Sequence, residues 1–475
     1  MTSAAGRREL LVAGALLVGV LGLKLPTLGV PYHWDEMTAY VAPARWLAGE
    51  SLWRGLPGLH PPEQFFGHPT GLYLLMAVVY RALGHSIEVS HAVAVTFAFL
   101  GVWCTYRLGS DLGGASTGLL AAVFLLFTPV YFAQAGMLLA DLPVASCGAL
   151  CLHCFLRDRR IPYLVCGFAL VALKETGAAV PFAIAIWLLG RERHVPGGVR
   201  KAALYGSPLA LTIAFFVAQR LSSGRFVANP FFAQRPSVHG DPQQILAGLV
   251  QVCGWVLGAQ QRWALTLIVV AAVAVRGWRA VWRREFGLFA LVGSCFVVAF
   301  SFLYVLPRYL LPTFPLLCVV AATALSGLVR ATRWRVVVGC AVTALSVVGL
   351  FGADDAPDSF SEDMQYVDVV RTHQEAARYL AERHPGARVH ALWPLSRAFR
   401  DPAMGYVTEP LALVDDRATA DVVVLTPQGS SRNLELASWV ERSGLRLERR
   451  VERRGKRVDI YVRGSLASGD HGLSP

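Results

Sequence analysis

Residues 7–36 read RRELLVAGALLVGVLGLKLPTLGVPYHWDE. Two arginines precede an apolar run from Leu10 to Val30, and an acidic pair, Asp35 and Glu36, follows it. A run of this length crosses a hydrocarbon core of about 30 Å as one helix. It is too long for the apolar part of a signal peptide, and no small-x-small cleavage site stands before the polar stretch. The stretch therefore predicts an uncleaved first membrane span.

The composition extends this prediction to the whole chain. Of 475 residues, 55% are hydrophobic and only 16% are charged, and the mean hydropathy is +0.47. A soluble protein is typically about a quarter charged, so a water-facing surface of this size would need more charge. The apolar runs predict about eleven spans, each near the length that crosses a bilayer or somewhat shorter. These spans lie at 9–30, 89–108, 116–135, 141–156, 161–174, 175–190, 202–221, 262–276, 286–306, 309–329 and 334–352.

The basic residues test this order of spans, because they collect in cytoplasmic loops. With a cytoplasmic N-terminus, all six cytoplasmic segments carry positive charge: Arg7 and Arg8; Arg107; Arg157, Arg159 and Arg160; Arg191, Arg193, Arg200 and Lys201; Arg276, Arg279, Arg283 and Arg284; and Arg330, Arg333 and Arg335. An odd number of spans then puts the C-terminus outside. The net charge of +12 follows the helix ends and the C-terminal region, which argues against a nucleic-acid partner.

Two outer segments are long. The first, from Pro31 to about Glu88, contains two amphipathic pieces, 38–48 and 72–83, that suit helices lying in the membrane interface. The second begins with a polar stretch, 222–243, that would form a lid over a cavity. An apolar piece, 245–259, follows; we expect it to be interfacial or re-entrant, because a further span would invert the charge pattern downstream.

The composition changes after Gly352, where a polar stretch begins. A helical period over 366–383 is followed by strand-like runs at 388–392, 421–425, 446–451 and 457–462, with Arg454-Gly455 as a hairpin turn between the last two. We therefore predict a membrane domain at 1–352, a small α/β domain at 353–464 and a disordered tail at 465–475. All nine cysteines fall in apolar segments, so a disulfide framework is not expected.

Ionisable residues at the ends of spans are costly unless they have a task. Five such groups fall on the outer side: Asp35-Glu36, His68-Pro69, Asp141, Lys174-Glu175 and Arg308-Tyr309. Each also has a structural interpretation. The two aspartates suit helix N-caps, the His-Pro pair a turn, the Lys-Glu pair a snorkelling position and the Arg-Tyr pair an interfacial anchor.

Taken in order, these groups form a pattern. An Asp-Glu pair follows the first span, then come His-Pro, Leu-Gly-x-x-x-Glu, Asp-x-Pro, Leu-Lys and Arg-Tyr-Leu-Leu-Pro. The ordered set resembles the GT-C glycosyltransferases, and within them glycosyltransferase family 39, the protein-mannosyltransferase and aminoarabinose-transferase group. The resemblance runs from about Leu10 to Leu328 and is weaker in the C-terminal domain. It implies a GT-C-type polytopic helical bundle, with interfacial helices in the first outer loop.

The resemblance also implies a function. The donor would be a sugar on a polyprenyl phosphate or diphosphate, presented at the outer leaflet of the inner (plasma) membrane, and the acceptor a lipid, a glycan or a protein hydroxyl. Catalytic roles carry over to three acidic residues and donor-phosphate roles to four others. The catalytic set is Asp35, Glu36 and Asp141, and the phosphate set is His68, Lys174, Arg308 and Tyr309.

The chemistry suits these residue types. A carboxylate accepts the acceptor's proton as the anomeric carbon is attacked, and cations stabilise the leaving lipid phosphate at a low-dielectric boundary. A single attack of this kind inverts the anomeric centre. Glu88 and His91 are supporting candidates, although relatives often carry Arg where His91 stands. We expect no obligatory metal; Asp35 and Asp141 with a histidine would supply ligands for a divalent ion, but their spacing does not demand one.

Two other classes of protein stay open from the residues alone. A transporter or flippase of lipid-linked glycan would also place ionisable residues in spans, but we find no pair of Gly/Pro-broken spans at corresponding positions of two halves. A non-catalytic envelope assembly protein would use its C-terminal domain to bind a partner. The basic hairpin around Arg454 is then a solvated face or a contact to anionic membrane lipids.

Overall fold

The computed structural model describes residues 4–61, 64–65, 67–226, 241–302, 306–352, 362–426 and 431–464. The helices of the first half are α1 (Ala4–Lys24), α2 (Ala42–Gly49), α3 (Gly71–Leu83), α4 (Ile87–Gly113), α5 (Ala115–Leu126), α6 (Pro129–Gln134), α7 (Asp141–Leu156), α8 (Arg160–Leu173), α9 (Ala179–Glu192), α10 (Gly198–Gly206) and α11 (Leu209–Ser223).

The second half continues with both helices and strands. The helices are α12 (Pro242–Leu257), α13 (Arg262–Arg276), α14 (Trp278–Val281), α15 (Arg284–Ser301), α16 (Phe314–Leu328), α17 (Thr332–Gly349), α18 (Gln365–Arg383), α19 (Leu395–Arg400) and α20 (Ser431–Arg442). The strands are β1 (Val389–Ala391), β2 (Val422–Leu425), β3 (Arg446–Arg453) and β4 (Lys456–Val462).

Two compact units divide the chain. The membrane unit comprises Met1–Leu28, Ala39–His85 and Val89–Gly352, and the sheet unit comprises Gly29–Thr38, Ser86–Glu88 and Ala353–Pro475. The sheet unit thus includes the residues directly after the first span as well as the C-terminal region.

The regular secondary structure of the membrane unit is helical in its described part, where no strand occurs. Within the described residues, five helices are long and apolar enough to cross a membrane, and two bent helix pairs raise the number to seven. Helices α5, α7 and α8 are apolar but shorter than 18 residues. The polytopic fold follows from these helices, while the number of eleven spans stays a prediction.

The predicted single span at 116–135 is wrong in one respect, because it is two helices. Helix α5 ends at Leu126 and α6 begins at Pro129, with Thr128 in an extended conformation between them. A residue before proline is pushed out of the helical region by the proline ring, which explains the break.

The apolar piece predicted at 245–259 lies in α12. Helices α12 and α13 bend by 86° at their junction, which is the geometry of a broken span or a re-entrant loop. Most of the predicted lid, residues 227–240, lies outside the described part of the chain.

The sheet unit carries a four-stranded sheet in the order β1-β2-β4-β3. Strand β2 pairs parallel with β1 and antiparallel with β4, and β3 and β4 form a hairpin. Arg454 and Gly455 both have positive φ, as a two-residue hairpin turn of the predicted kind requires. The predicted strands and the helix over 366–383 are confirmed, whereas α19 and α20 were not predicted.

Candidate active site

A buried cluster of opposite charges joins three of the predicted site residues in the membrane unit. The ammonium nitrogen of Lys174 donates to Oδ1 of Asp141 at 2.6 Å. The guanidinium Nε of Arg308 lies 3.5 Å from Oδ2 of the same carboxylate. The three residues are 3%, 4% and 2% exposed for Asp141, Lys174 and Arg308 respectively. One buried carboxylate therefore faces two buried cations, so these three side chains together carry a net positive charge, and Glu175 interacts with Lys174 as a second negative charge.

Local structure fixes each member of the cluster. Asp141 is the first residue of α7, where the helix dipole favours a negative charge. Its alternative interpretation as an N-cap is wrong, because the cap position is Ala140 and Asp141 binds Lys174 instead. Lys174 lies in extended conformation between α8 and the following short 3-10 helix, Glu175–Ala178. The N-terminus of α7 and the C-terminal end of α8 are therefore in direct contact.

Arg308 and Tyr309 lie in a 3-10 helix, Pro307–Thr313, that begins with a proline and contains another. Proline fixes φ and stiffens such a short element. The Tyr309 ring receives the ammonium of Lys174 at 4.2 Å from its centroid, and the guanidinium of Arg308 at 5.4 Å. A cation over an aromatic face is stabilised by the ring quadrupole. Tyr309 therefore holds both cations on one side of the site.

His68 pairs with Glu175, which the sequence analysis grouped with Lys174 but to which it gave no catalytic or binding role. Its Nδ1 lies 2.9 Å from Oε2 of Glu175, next to Lys174 in the chain. An ionised carboxylate only accepts hydrogen bonds, so Nδ1 carries the proton. The side chains of His68 and Glu175 are 21% and 28% exposed, which makes this pair more open than the Asp141 cluster.

A glycine explains why His68 reaches Glu175. An added Cβ on Gly71, at the start of α3, would lie 2.5 Å from the carbonyl oxygen of Ala172 near the end of α8. Only glycine permits this approach of α3 to α8. The approach puts the residues just before α3 next to the residues just after α8.

Tyr73 is a buried residue near this pair that the sequence analysis did not name. Its side chain is 1% exposed, it lies close enough to Glu175 to interact with that charge, and its ring is 5.0 Å from Phe65. The hydroxyl has no hydrogen-bond partner among the residues the structure describes. Its position in an apolar helix gave no signal in the sequence.

Asp35 and Glu36 belong to the sheet unit, and their surroundings there are distinct from the cluster. Glu36 is 1% exposed, begins a π-helical turn (Glu36–Val41), and accepts a hydrogen bond from the His33 backbone N–H at 2.9 Å. Burial raises the pKa of Tyr406, and the negative charge of Glu36 adds to that effect. Asp35 is partly exposed beside this buried carboxylate. Irregular turns of the π type occur frequently at functional sites.

The two supporting candidates, Glu88 and His91, lie in different units. Glu88 lies in the sheet unit, with Oε1 3.4 Å from the position of a Cβ on Gly29. His91 is buried in α4, and its Nδ1 donates to the carbonyl oxygen of Leu28 at 2.9 Å. That contact ties α4 to the end of the first span, which is a structural role.

Metal ligands do not assemble in the described part of the chain. No group of three or more His, Cys, Asp or Glu side chains that would hold a metal ion occurs there. At Asp141, two cations already flank the carboxylate, which is an unfavourable surrounding for a divalent cation.

The comparisons with known proteins concern structure rather than sequence. No protein-family model matches the chain, and no curated protein matches it in sequence. ArnT from Cupriavidus metallidurans, solved bound to undecaprenyl phosphate, is 15% identical with a TM-score of 0.61, and the match covers 98% of this chain and 99% of ArnT.

A second similar protein is an archaeal oligosaccharyltransferase. AglB from Archaeoglobus fulgidus, in complex with an inhibitory peptide and a dolichol-phosphate, is 11% identical with a TM-score of 0.51, over 87% of this chain and 65% of that chain. The same organism's oligosaccharyltransferase in complex with Zn and sulfate is 12% identical with a TM-score of 0.52, over 87% of this chain and 68% of that chain. ArnT and AglB are both GT-C superfamily glycosyltransferases. The chain therefore has the GT-C fold, as the sequence pattern predicted.

Proposed function

We propose that this protein is an integral-membrane glycosyltransferase that moves a sugar from a polyprenyl-phosphate-linked donor to an acceptor at the outer face of the membrane. The observation that carries the proposal is the buried cluster in which one carboxylate, Asp141, faces Lys174 and Arg308. Support comes from the GT-C fold, since ArnT was solved with undecaprenyl phosphate and AglB with a dolichol-phosphate.

The cluster suits the phosphate of such a donor. Its excess positive charge lies in a low-dielectric setting, where a phosphate oxygen gains most from a charged donor. The charge on that phosphate grows as the sugar leaves, so the cations stabilise the transition state more than the ground state. In this proposal Asp141 orients the two cations, and its engagement with both makes it less suited to accept a proton.

His68 and Glu175 supply a second, more open contact to the donor. The contact from Nδ1 to Glu175 fixes the orientation of the His68 ring, and the charged imidazolium form of that ring suits a phosphate oxygen. Glu175 then acts as a positioning residue, because it fixes the orientation of the ring.

Asp35 is the proposed general base. It accepts the proton of the acceptor hydroxyl or amine as the acceptor attacks the anomeric carbon, and the bond to the lipid phosphate breaks on the opposite side. One displacement of this kind inverts the anomeric configuration. Glu36, buried and hydrogen-bonded to the His33 backbone, holds the turn that carries Asp35.

No step in this mechanism uses a metal. The acceptor in this proposal is a lipid, a glycan or a protein hydroxyl.

The glycosyltransferase itself would reside in the inner membrane with its N-terminus in the cytoplasm. Reporter fusions after Arg160 and Arg284 should therefore report the cytoplasm.

Transfer from labelled donors tests the function. Purified protein in lipid nanodiscs is incubated with a panel of polyprenyl-phosphate sugars that carry radiolabel in the sugar, together with membrane extract as acceptor. The proposal expects the label to leave the lipid with at least one donor, and to stay with Asp35→Asn. Movement of intact labelled donor across a bilayer without release of its sugar would indicate a flippase instead.

A further inference from the structure

The inward face of the first membrane helix ends on a lysine. Leu16, Val20 and Lys24 are buried at a spacing of four residues, whereas their neighbours on α1 are mostly exposed. A spacing of four residues keeps side chains on one face of a helix. Lys24 therefore continues the stripe with which α1 packs against the rest of the membrane unit.

Among the residues that the structure describes, the buried ammonium group of Lys24 has no ion-pair partner. The residue is 0% exposed, and its Nζ lies 3.7 Å from the centroid of the Phe132 ring on α6. Within the described residues, that nitrogen has no hydrogen-bond partner. Burying an unpaired charge is costly, and a cation–π contact offsets only about 0.5–2 kcal/mol of that cost.

A lysine at the end of a membrane helix normally extends its ammonium group to the interfacial water. Lys24 is the last residue of α1 and has a side chain long enough to do this, yet no part of it reaches solvent. Snorkelling therefore does not explain its conformation. A buried cation that is kept at such a cost is a candidate for binding an anion.

Helix α6 connects Lys24 with the charged cluster. Phe132, whose ring contacts the ammonium group of Lys24, lies on this helix. Helix α6 also packs against the 3-10 helix that contains Arg308 and Tyr309. The buried residues that follow α6 lead directly to Asp141. Helix α6 thus contacts both Lys24 and the 3-10 helix that carries Arg308.

We propose that Lys24 binds a phosphate oxygen of a membrane lipid within the membrane unit. The assignment of that lipid to the glycosyl donor or its polyprenyl-phosphate product rests on the proposed function; a phospholipid headgroup offers the same chemistry. The ammonium group supplies one charge-assisted hydrogen bond, while Phe132 fixes its direction. Lys24 is then a binding residue outside the Asp141 cluster.

Two near-isosteric variants, Lys24→Met and Lys24→Gln, test the proposal in the purified full-length protein. Native mass spectrometry measures the retention of polyprenyl phosphate, of the uncharged polyprenol, and of phosphatidylglycerol. Lys201→Met is the matched control, because Lys201 pairs with Glu192 at 3.0 Å and is partly exposed. Thermal unfolding of the lipid-free protein shows whether each variant is folded.

The proposal expects Lys24→Met and Lys24→Gln to bind polyprenyl phosphate about tenfold or more weakly, as loss of one charge-assisted bond predicts. Binding of polyprenol should not change, and Lys24→Met should melt at a higher temperature because the buried charge is gone. A loss confined to phosphatidylglycerol would support the lipid-phosphate site and assign it to a phospholipid.

Unchanged retention of both anionic lipids in folded Lys24 variants would overturn the inference. That result differs from a failure of the proposed function, in which wild-type protein would show no preference for polyprenyl phosphate over polyprenol. The two failures are therefore read from different samples, the variant and the wild type.

Discussion

The ammonium nitrogen of Lys174 lies 2.6 Å from Oδ1 of Asp141, and neither side chain is more than 5% exposed. Arg308 faces the other carboxylate oxygen of Asp141, so Asp141 has two cationic partners. Loss of Asp141 and loss of Lys174 should therefore have different effects on stability. Asp141→Asn removes the carboxylate that both buried cations face, whereas Lys174→Met leaves Asp141 still facing Arg308.

We therefore expect Asp141→Asn to lower the free energy of unfolding by about 3–5 kcal/mol, and Lys174→Met to lower it by clearly less. Denaturant unfolding of the purified protein in detergent measures both. Lys201→Met, which removes a half-exposed ion pair, should cost at most about 1 kcal/mol. A larger cost for Lys174→Met than for Asp141→Asn would contradict the shared-carboxylate arrangement.

The pair of His68 and Glu175 predicts a double-mutant result. Glu175→Gln should weaken the binding of polyprenyl phosphate about tenfold, because the imidazole loses the charged partner that orients it. In a His68→Lys background the same change should have little effect, since a lysine reaches a phosphate without a ring orientation. Isothermal titration with the lipid phosphate measures all four proteins. An equal loss in both backgrounds would show that Glu175 acts independently of residue 68.

The charged cluster shows what the sequence predicted and what it did not: it indicated the residues but not their pairing. The positions of Asp141, Lys174 and Arg308 beside apolar spans revealed them as candidates, because charge at such a boundary is costly. Their pairing depends on contacts between distant helices, which one sequence does not encode in any local pattern. The approach of Gly71 to Ala172 is an example, since the glycine had no motif around it.

Asp35→Asn should abolish sugar transfer and leave binding of the lipid phosphate unchanged. The substitution is nearly isosteric but removes the proton acceptor, and loss of a general base typically costs about 10²–10⁴ in rate. Single-turnover transfer gives the rate and titration gives the affinity. Near-normal transfer by the variant would remove Asp35 from its proposed role.

His373 makes the stability of the sheet unit depend on pH. Burial lowers the pKa of His373 from 6.5 to about 4. Above pH 6.5 the His373 side chain is neutral in both the folded and the unfolded protein. As the pH falls towards 4, this side chain binds a proton in the unfolded protein but not in the folded one. The sheet unit should therefore lose about 3 kcal/mol as the pH falls through this window, and no more from His373 below it.

Hydrogen exchange of the β2 and β4 amides in the full-length protein, normalised to unfolded rates at each pH, measures this loss. His373→Gln removes the titration, so its stability should fall less between pH 7 and pH 4 than that of the wild type. Parallel curves for the two proteins would exclude His373 as the source.

The two units differed in how far their sequences predicted them. Strands β2 and β4 and the turn at Arg454-Gly455 followed from local alternation and turn chemistry, and the structure has them. The break before Pro129 was visible as a proline but was outweighed by the apolar run around it. The inward direction of Lys24 was not predictable, because a lysine at a helix end is compatible with snorkelling as well as burial.

Binding of polyprenyl phosphate by Lys174→Ala tests the phosphate role of the cluster most directly. The measurement uses purified protein in nanodiscs, with polyprenol as the uncharged reference and thermal unfolding as the check on folding. A lost charge-assisted contact corresponds to about 1.5–3 kcal/mol, so the dissociation constant for the phosphate should rise about tenfold or more while that for polyprenol stays the same. Wild-type affinity for polyprenyl phosphate in the folded variant would contradict the assignment of this cluster to the donor phosphate.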